Sequence, residues 1–120
     1  MRPTILHIQN VVADHYGIAR ELMRWPFRTD RKVAHIRQIA MFLARERTHH
    51  SYLMIARRFS RKDHTTIRHA EHKMLRMIEE SPKFAAEIQS ISLSLSADVD
   101  NSIQSLVCDS GLEAYHRRWS

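Results

Sequence analysis

Apolar side chains recur three and four residues apart along most of the chain, the period of a helix with one buried face. Ile5, Ile8, Val11 and Val12 form the first stripe, and Gly17, after His15 and Tyr16, supplies a left-handed stop. The spacing predicts a first helix over residues 4–16. A short helical piece is expected around Ile18 to Met23, ahead of Trp25 and Pro26, because proline disfavours helix at the residue before it. Trp25 to Lys32 then reads as a basic loop, with Trp25 and Phe27 pinning it to the core. Val33, Ile36, Ile39, Ala40 and Leu43 make a second stripe and predict a helix from Val33 to Arg47.

Thr48, His49 and His50 interrupt this pattern, and Ser51 is suited to cap a short helix that turns Tyr52, Ile55, Ala56 and Phe59 inward. After the turn Ser60-Arg61-Lys62, Asp63 is the next cap candidate. The helix behind it is expected over residues 64–80, with Ile67, Ala70, Met74, Met77 and Ile78 on one face. Ser81-Pro82 has the form of a cap followed by proline at the first helical position, leading a fifth helix through Phe84, Ile88, Ile91 and Leu95. Ser90, Ser92, Ser94 and Ser96 alternate with Ile91, Leu93 and Leu95 in a strand-like pattern. A lone strand would leave its backbone unsatisfied, so the helix is expected to continue. Met41, Met54, Met74 and Met77 read as core fillers. Residues 1–95 are thus expected to form one helical domain. Residues 96–120 form a tail, partly helical or flexible, with Cys108 inert and Tyr115 and Trp119 placed for self-association or a protein partner.

The 120 residues suit one domain, and only two glycines and three prolines are available for turns, so an all-α, compact helical domain is the expectation. Charge changes the picture more. Lys and Arg number 19 against 13 Asp and Glu, and the sequence pI is near 10.1. Most of the surplus lies between Arg20 and Lys62, where only Glu21, Asp30 and Glu46 are acidic. A surface that tracks phosphates needs such a concentration, and double-stranded nucleic acid is the leading partner class. A single cysteine excludes an internal disulfide or a multi-cysteine zinc site, and suits a reducing cytoplasm. No stretch reads as a signal peptide or a membrane span, so a cytoplasmic, nucleoid-associated protein is expected. Enzymatic activity is not expected, because Asp14, Glu21, Asp30 and Glu46 are scattered singly. Nor is a cofactor. Nine histidines invite a metal, but His69 and His72 share a helix face without a third ligand at motif spacing, and no metal site is expected.

A short helix, a turn and a longer helix make up a helix-turn-helix, whose second helix enters the major groove by its N-terminal end. That end reads Asp63-His64-Thr65-Thr66, and each of these side chains has a way to meet a base edge or a phosphate. Read structurally instead, Asp63 is a cap and the threonines a solvated first turn. Three segments then carry a resemblance: Arg37-Gln38-Ile39-Ala40-Met41-Phe42-Leu43-Ala44-Arg45-Glu46, Ile55-Ala56-Arg57-Arg58-Phe59, and Asp63-His64-Thr65-Thr66-Ile67-Arg68-His69-Ala70. Together, over roughly residues 4 to 90, the chain resembles the C-terminal DNA-binding domain of the bacterial replication initiator DnaA.

The resemblance implies a Trp-repressor-like helix-turn-helix domain that binds double-stranded DNA at DnaA boxes, with a basic loop in the adjacent minor groove. It makes Lys62, Asp63, His64, Thr65 and Thr66 the base-reading candidates. Arg31 and Lys32 fall in the basic loop, Arg37 matches the arginine of the family's Arg-Gln pair, and Arg45 and Thr48 match positions near the DNA backbone. Ser51, Arg61, Arg68 and His69 complete the backbone or minor-groove set. Two departures stand out. Ser60-Arg61-Lys62 replaces the family's usual Gly-Gly-Arg, and His35-Ile36 stands where the basic loop tends to have Arg-Pro. The chain also lacks the Gly-x-x-x-x-Gly-Lys-Ser/Thr phosphate loop of the full initiator, so the expected role is a regulator of transcription or replication initiation without ATPase activity. The alternatives are a protein-interaction adaptor or a non-specific DNA coater that keeps the fold without reading bases.

Overall fold

The computed structural model describes residues 3–99, with side-chain surroundings for residues 3–95. The order of elements is α1 (Ile5–Tyr16), a 3-10 turn η1 (Arg20–Arg24), α2 (Arg31–Arg47), α3 (Tyr52–Arg58), α4 (Thr65–Glu80) and α5 (Pro82–Val99). Among the described residues there is no strand, and the fold is all-α. Local chemistry sets the boundaries. Thr4 Oγ1 accepts from the backbone N–H of His7, Ser51 Oγ from Met54 and Ser81 Oγ from Phe84, so three predicted starts fall at side-chain caps. Gly17 ends α1 with φ of 68°, the left-handed conformation that favours glycine. The serine-alternating stretch from Ser90 is helix, as expected, and α5 runs on to Val99, past the domain boundary expected at residue 95. Cys108, Tyr115 and Trp119 lie outside the described residues.

Two boundaries differ from the reading of the sequence. The single-turn piece is Arg20–Arg24, a 3-10 turn rather than helix from Ile18. Helix α2 starts at Arg31, two residues before the first apolar position, because Asp30 Oδ1 accepts the backbone N–H of Val33 at 2.8 Å. Arg31 and Lys32 therefore sit in the first turn of a helix, not in a loop. Trp25 and Phe27 do not pin the intervening loop to the core: they are 44% and 64% exposed and meet edge to face, ring centroids 5.5 Å apart. Met54 is likewise at the surface, whereas Met41 and Met74 are buried.

Helix α2 is the axis of the core. Ile39, Ala40, Met41, Phe42, Leu43 and Ala44 are consecutive and all buried, so this stretch is enclosed on every side and not along one stripe. It packs against α1, α3, α4 and η1, while α5 closes the molecule against α1 and α4. Ile8, Val12, Met23, Ile55, Phe59, Ile67, Met74, Ile88 and Ile91 fill the space around it. Burying each such side chain contributes about 1.5–3 kcal/mol.

A polar knot ties the short helix α3 to its neighbours. Tyr52 donates its hydroxyl to Glu71 Oε1 on α4 at 2.8 Å. The Arg45 guanidinium from α2 lies 4.1 Å from the centre of the Tyr52 ring, donates to the carbonyl of His50 at 3.1 Å, and reaches Glu71 Oε2 at 3.9 Å. Seven residues make a helix too short to stand alone, so α3 takes its orientation from this knot and from Ile55, Ala56 and Phe59 beneath it.

Two expectations follow. Phe42→Ala removes a fully buried ring from the axis of the core and is expected to cost about 3–5 kcal/mol, read as a lower urea midpoint at unchanged slope. Glu71→Ala strands the Tyr52 hydroxyl and is expected to cost about 1–3 kcal/mol in the same measurement, with Glu71→Gln, which keeps an acceptor, losing less.

Candidate nucleic-acid interface

Helices α3 and α4, with the turn 59–64 between them, form the helix-turn-helix. The turn is built by backbone bonds from Phe59, Ser60 and Arg61 to the last carbonyls of α3. Ser60 adopts φ of 58°, the left-handed conformation for which glycine is the usual residue, and its hydroxyl donates to the carbonyl of Arg24 at 2.6 Å. A serine is held here in a conformation costly for its Cβ, and the η1 carbonyl is what holds it.

Helix α4 begins at Thr65, one residue later than expected. Asp63 is nevertheless its capping side chain: Oδ1 accepts the Thr65 backbone N–H at 2.9 Å. That N–H, and then the Thr65 hydroxyl, hold the Asp63 carboxyl below its ordinary pKa, so it is an ionised acceptor at neutral pH. Lys62, Asp63 and His64 are exposed, and Thr65 and Thr66 partly so. Along the outer face of α4, Thr65, Arg68, His69 and His72 line an open groove of about 320 Å³. The structure thus brings together the whole run from Lys62 to Thr66 with Arg68 and His69, and adds His72, which the helical spacing from His69 already signalled.

Other candidates are placed differently. Arg31 and Lys32 are exposed at the start of α2, and Arg45 stands near its end, ~21 Å along the axis at 1.5 Å per residue. Arg45 is committed to the knot with Tyr52 and Glu71, so it supports the helix-turn-helix from within. Sequence reasoning missed these two partners. The available signal was Glu71, a carboxylate on the buried stripe of Ile67, Ala70, Met74 and Ile78.

Three candidates are corrected by burial. Arg37, expected at the DNA, is 1% exposed; its Nη2 donates to the carbonyl of Trp25 at 2.8 Å, and burial, then the charge of Arg61, lower its pKa to about 10. It lies on the core side of α2 beside the buried Ile36 and the enclosed stretch Ile39 to Ala44. His35, expected in the basic loop, is half-buried on α2 with its ring 5.9 Å from that of Phe84. Burial, then Lys73, push its pKa down against the opposing pull of Glu87, so it carries no charge to a phosphate at neutral pH. Thr48 is buried and donates its hydroxyl back to the carbonyl of Ala44 at 2.6 Å, closing the end of α2. Ser51 is exposed, but its hydroxyl serves as the cap of α3.

The described residues contain no group of three or more His, Cys, Asp or Glu able to hold a metal ion, and no described helix is long and apolar enough to cross a membrane. The residues form an arrangement for contact, with cations and short polar groups displayed on rigid helices.

Comparison with known proteins agrees with this geometry. The family model described as the bacterial dnaA protein helix-turn-helix matches residues 5–74, from the start of α1 to the middle of α4. The chromosomal replication initiator protein DnaA of Symbiobacterium thermophilum is 41% identical over 95 residues, covering 79% of this chain and 20% of that protein. The protein of the same name from Rhizobium meliloti is 41% identical over 88 residues, covering 73% of this chain and 18% of its own length. The chain spans about a fifth of the length of these curated relatives. With more than half of its length matched, and the helix-turn-helix in place where the match runs, the chain belongs to the bacterial DnaA helix-turn-helix family.

Proposed function

We propose that this chain binds double-stranded DNA in a sequence-dependent way, at sites resembling DnaA boxes, by laying the N-terminal end of α4 in the major groove. The observation that carries the reading is the run from Lys62 to Thr66, exposed through His64 and partly exposed at the two threonines, at the start of a helix that is tied to α3. Asp63 and the two threonines offer acceptors and methyl groups of the kind that read base edges, and the exposed Arg68 and His69 lie beside them for the phosphates. Arg31 and Lys32, at the far end of α2, are the candidates for a second contact along the duplex. The names of the relatives, both chromosomal replication initiators, support a role for this binding in replication initiation. Within these residues the action is occupancy without nucleotide chemistry, regulating initiation or transcription on the nucleoid. Residues 96–120 are assigned to self-association or a protein partner.

Selection of binding sites from randomised duplexes tests the reading. A recovered motif of DnaA-box type supports it, and equal affinity for all duplexes overturns it in favour of a non-specific coater or an adaptor. On the selected site, Thr65→Ala and Thr66→Ala are each expected to cost about 1–3 kcal/mol, with little change on a scrambled duplex; equal losses on both would remove their base-reading role. Arg68→Ala is expected to weaken all duplexes alike. In a salt titration it should flatten the dependence of log affinity on log salt by about one phosphate's worth.

A further inference from the structure

Two arginines with buried, unpartnered guanidinium nitrogens are drawn toward one place in the fold by neighbouring backbone carbonyls. Arg37 projects from α2, and beyond the bond from its Nη2 to the Trp25 carbonyl, its Nε and Nη1 are buried with no hydrogen-bond partner. Arg61 follows Ser60, whose hydroxyl is bonded to the carbonyl of Arg24. Two consecutive carbonyls, those of Arg24 and Trp25, thus draw the turn between α3 and α4 and the middle of α2 to one place. The backbone N–H of Arg61 is fixed on the carbonyl of Ala56 at 2.8 Å, and its Nε too is buried without a partner. Among the described residues no carboxylate pairs with either arginine. Arg61 is partly exposed, whereas Arg37 is buried.

Like charges close together, with unsatisfied donors in a poorly hydrated place, are stabilised by an anion, and a tetrahedral oxyanion matches the guanidinium fork. We propose that Arg61, backed by the charge of Arg37, is an oxyanion site that takes a phosphate group. Resting on the DNA-binding reading above, the phosphate is one of the duplex backbone. Arg61 supplies the direct hydrogen bonds. Arg37 is a positioning residue, acting through its charge and through its hold on the loop that Ser60 also grips.

The test has two arms. In the first, thermal unfolding of the 120-residue protein is followed at neutral pH in sodium chloride and in inorganic phosphate of matched ionic strength, for the wild type, Arg61→Ala and Arg61→Lys. Phosphate at five times its dissociation constant is expected to raise the wild-type Tm by roughly 5 °C beyond the rise of Arg61→Ala, with Arg61→Lys between them. Equal rises in wild type and Arg61→Ala would overturn the site, because general salting effects act on both. This arm needs no DNA and stands whether or not the protein reads a sequence. In the second, Arg61→Ala is expected to weaken selected and scrambled duplexes alike, and to lower the salt slope by about one phosphate. A protein that responds to phosphate in the first arm but keeps its wild-type slope in the second takes free phosphate at this site, which overturns the assignment to the duplex backbone.

Discussion

The enclosure of α2 is the constraint on which the rest of this structure depends. A helix buried around its whole circumference from Ile39 to Ala44 leaves no face for solvent, so the other elements must be arranged about it. Helices α1, α3 and α4 each take a sector, and α5 spans the outside of α1 and α4. Only the two ends of α2 are left to do anything else. Its start carries the exposed Arg31 and Lys32, and its end carries Arg45, which no longer belongs to the surface alone but to the joint between α3 and α4.

The polar interactions that survive inside are few and each sets an orientation. Tyr52, Glu71 and Arg45 fix the short helix α3 against α4. Gln9, 1% exposed, donates to the carbonyl of Arg58 at 3.0 Å and so fastens the end of α3 to α1. The Tyr16 hydroxyl is bonded to Glu87, and its own burial, then that carboxylate, raise its pKa, so it remains a neutral donor linking α1 to α5. These bonds contribute modestly to net stability, since each replaces bonds to water. Their directional geometry is what aims α4 outward with its first turn exposed. The cations, in turn, are concentrated on the surface: among the described residues Arg37 alone of them is buried, and that at the cost of a depressed pKa and unsatisfied donors.

By itself, the sequence determined the helical class, the stripes of Ile8 and Val12, of Ile55 and Phe59, of Ile67 and Met74 and of Ile88 and Ile91, and the caps at Ser51 and Ser81, because period and capping are local properties. The resemblance carried by the run from Asp63 to Thr66 pointed to the family, and that run leads into α4 with its first two residues exposed and the threonines partly so. What the tertiary structure decided is which charged residues remain available. Arg37 and Arg31 are alike as letters, yet one is buried beside Trp25 and the other exposed at a helix start, since a residue's burial depends on which elements pack beside it. The same holds for His35, neutral against Phe84, for Thr48, folded back on Ala44, and for Arg61, brought toward Arg37 through the neighbouring carbonyls of Arg24 and Trp25. Local pattern names the helices; only the packing of one helix inside all the others chooses the side chains that face a partner.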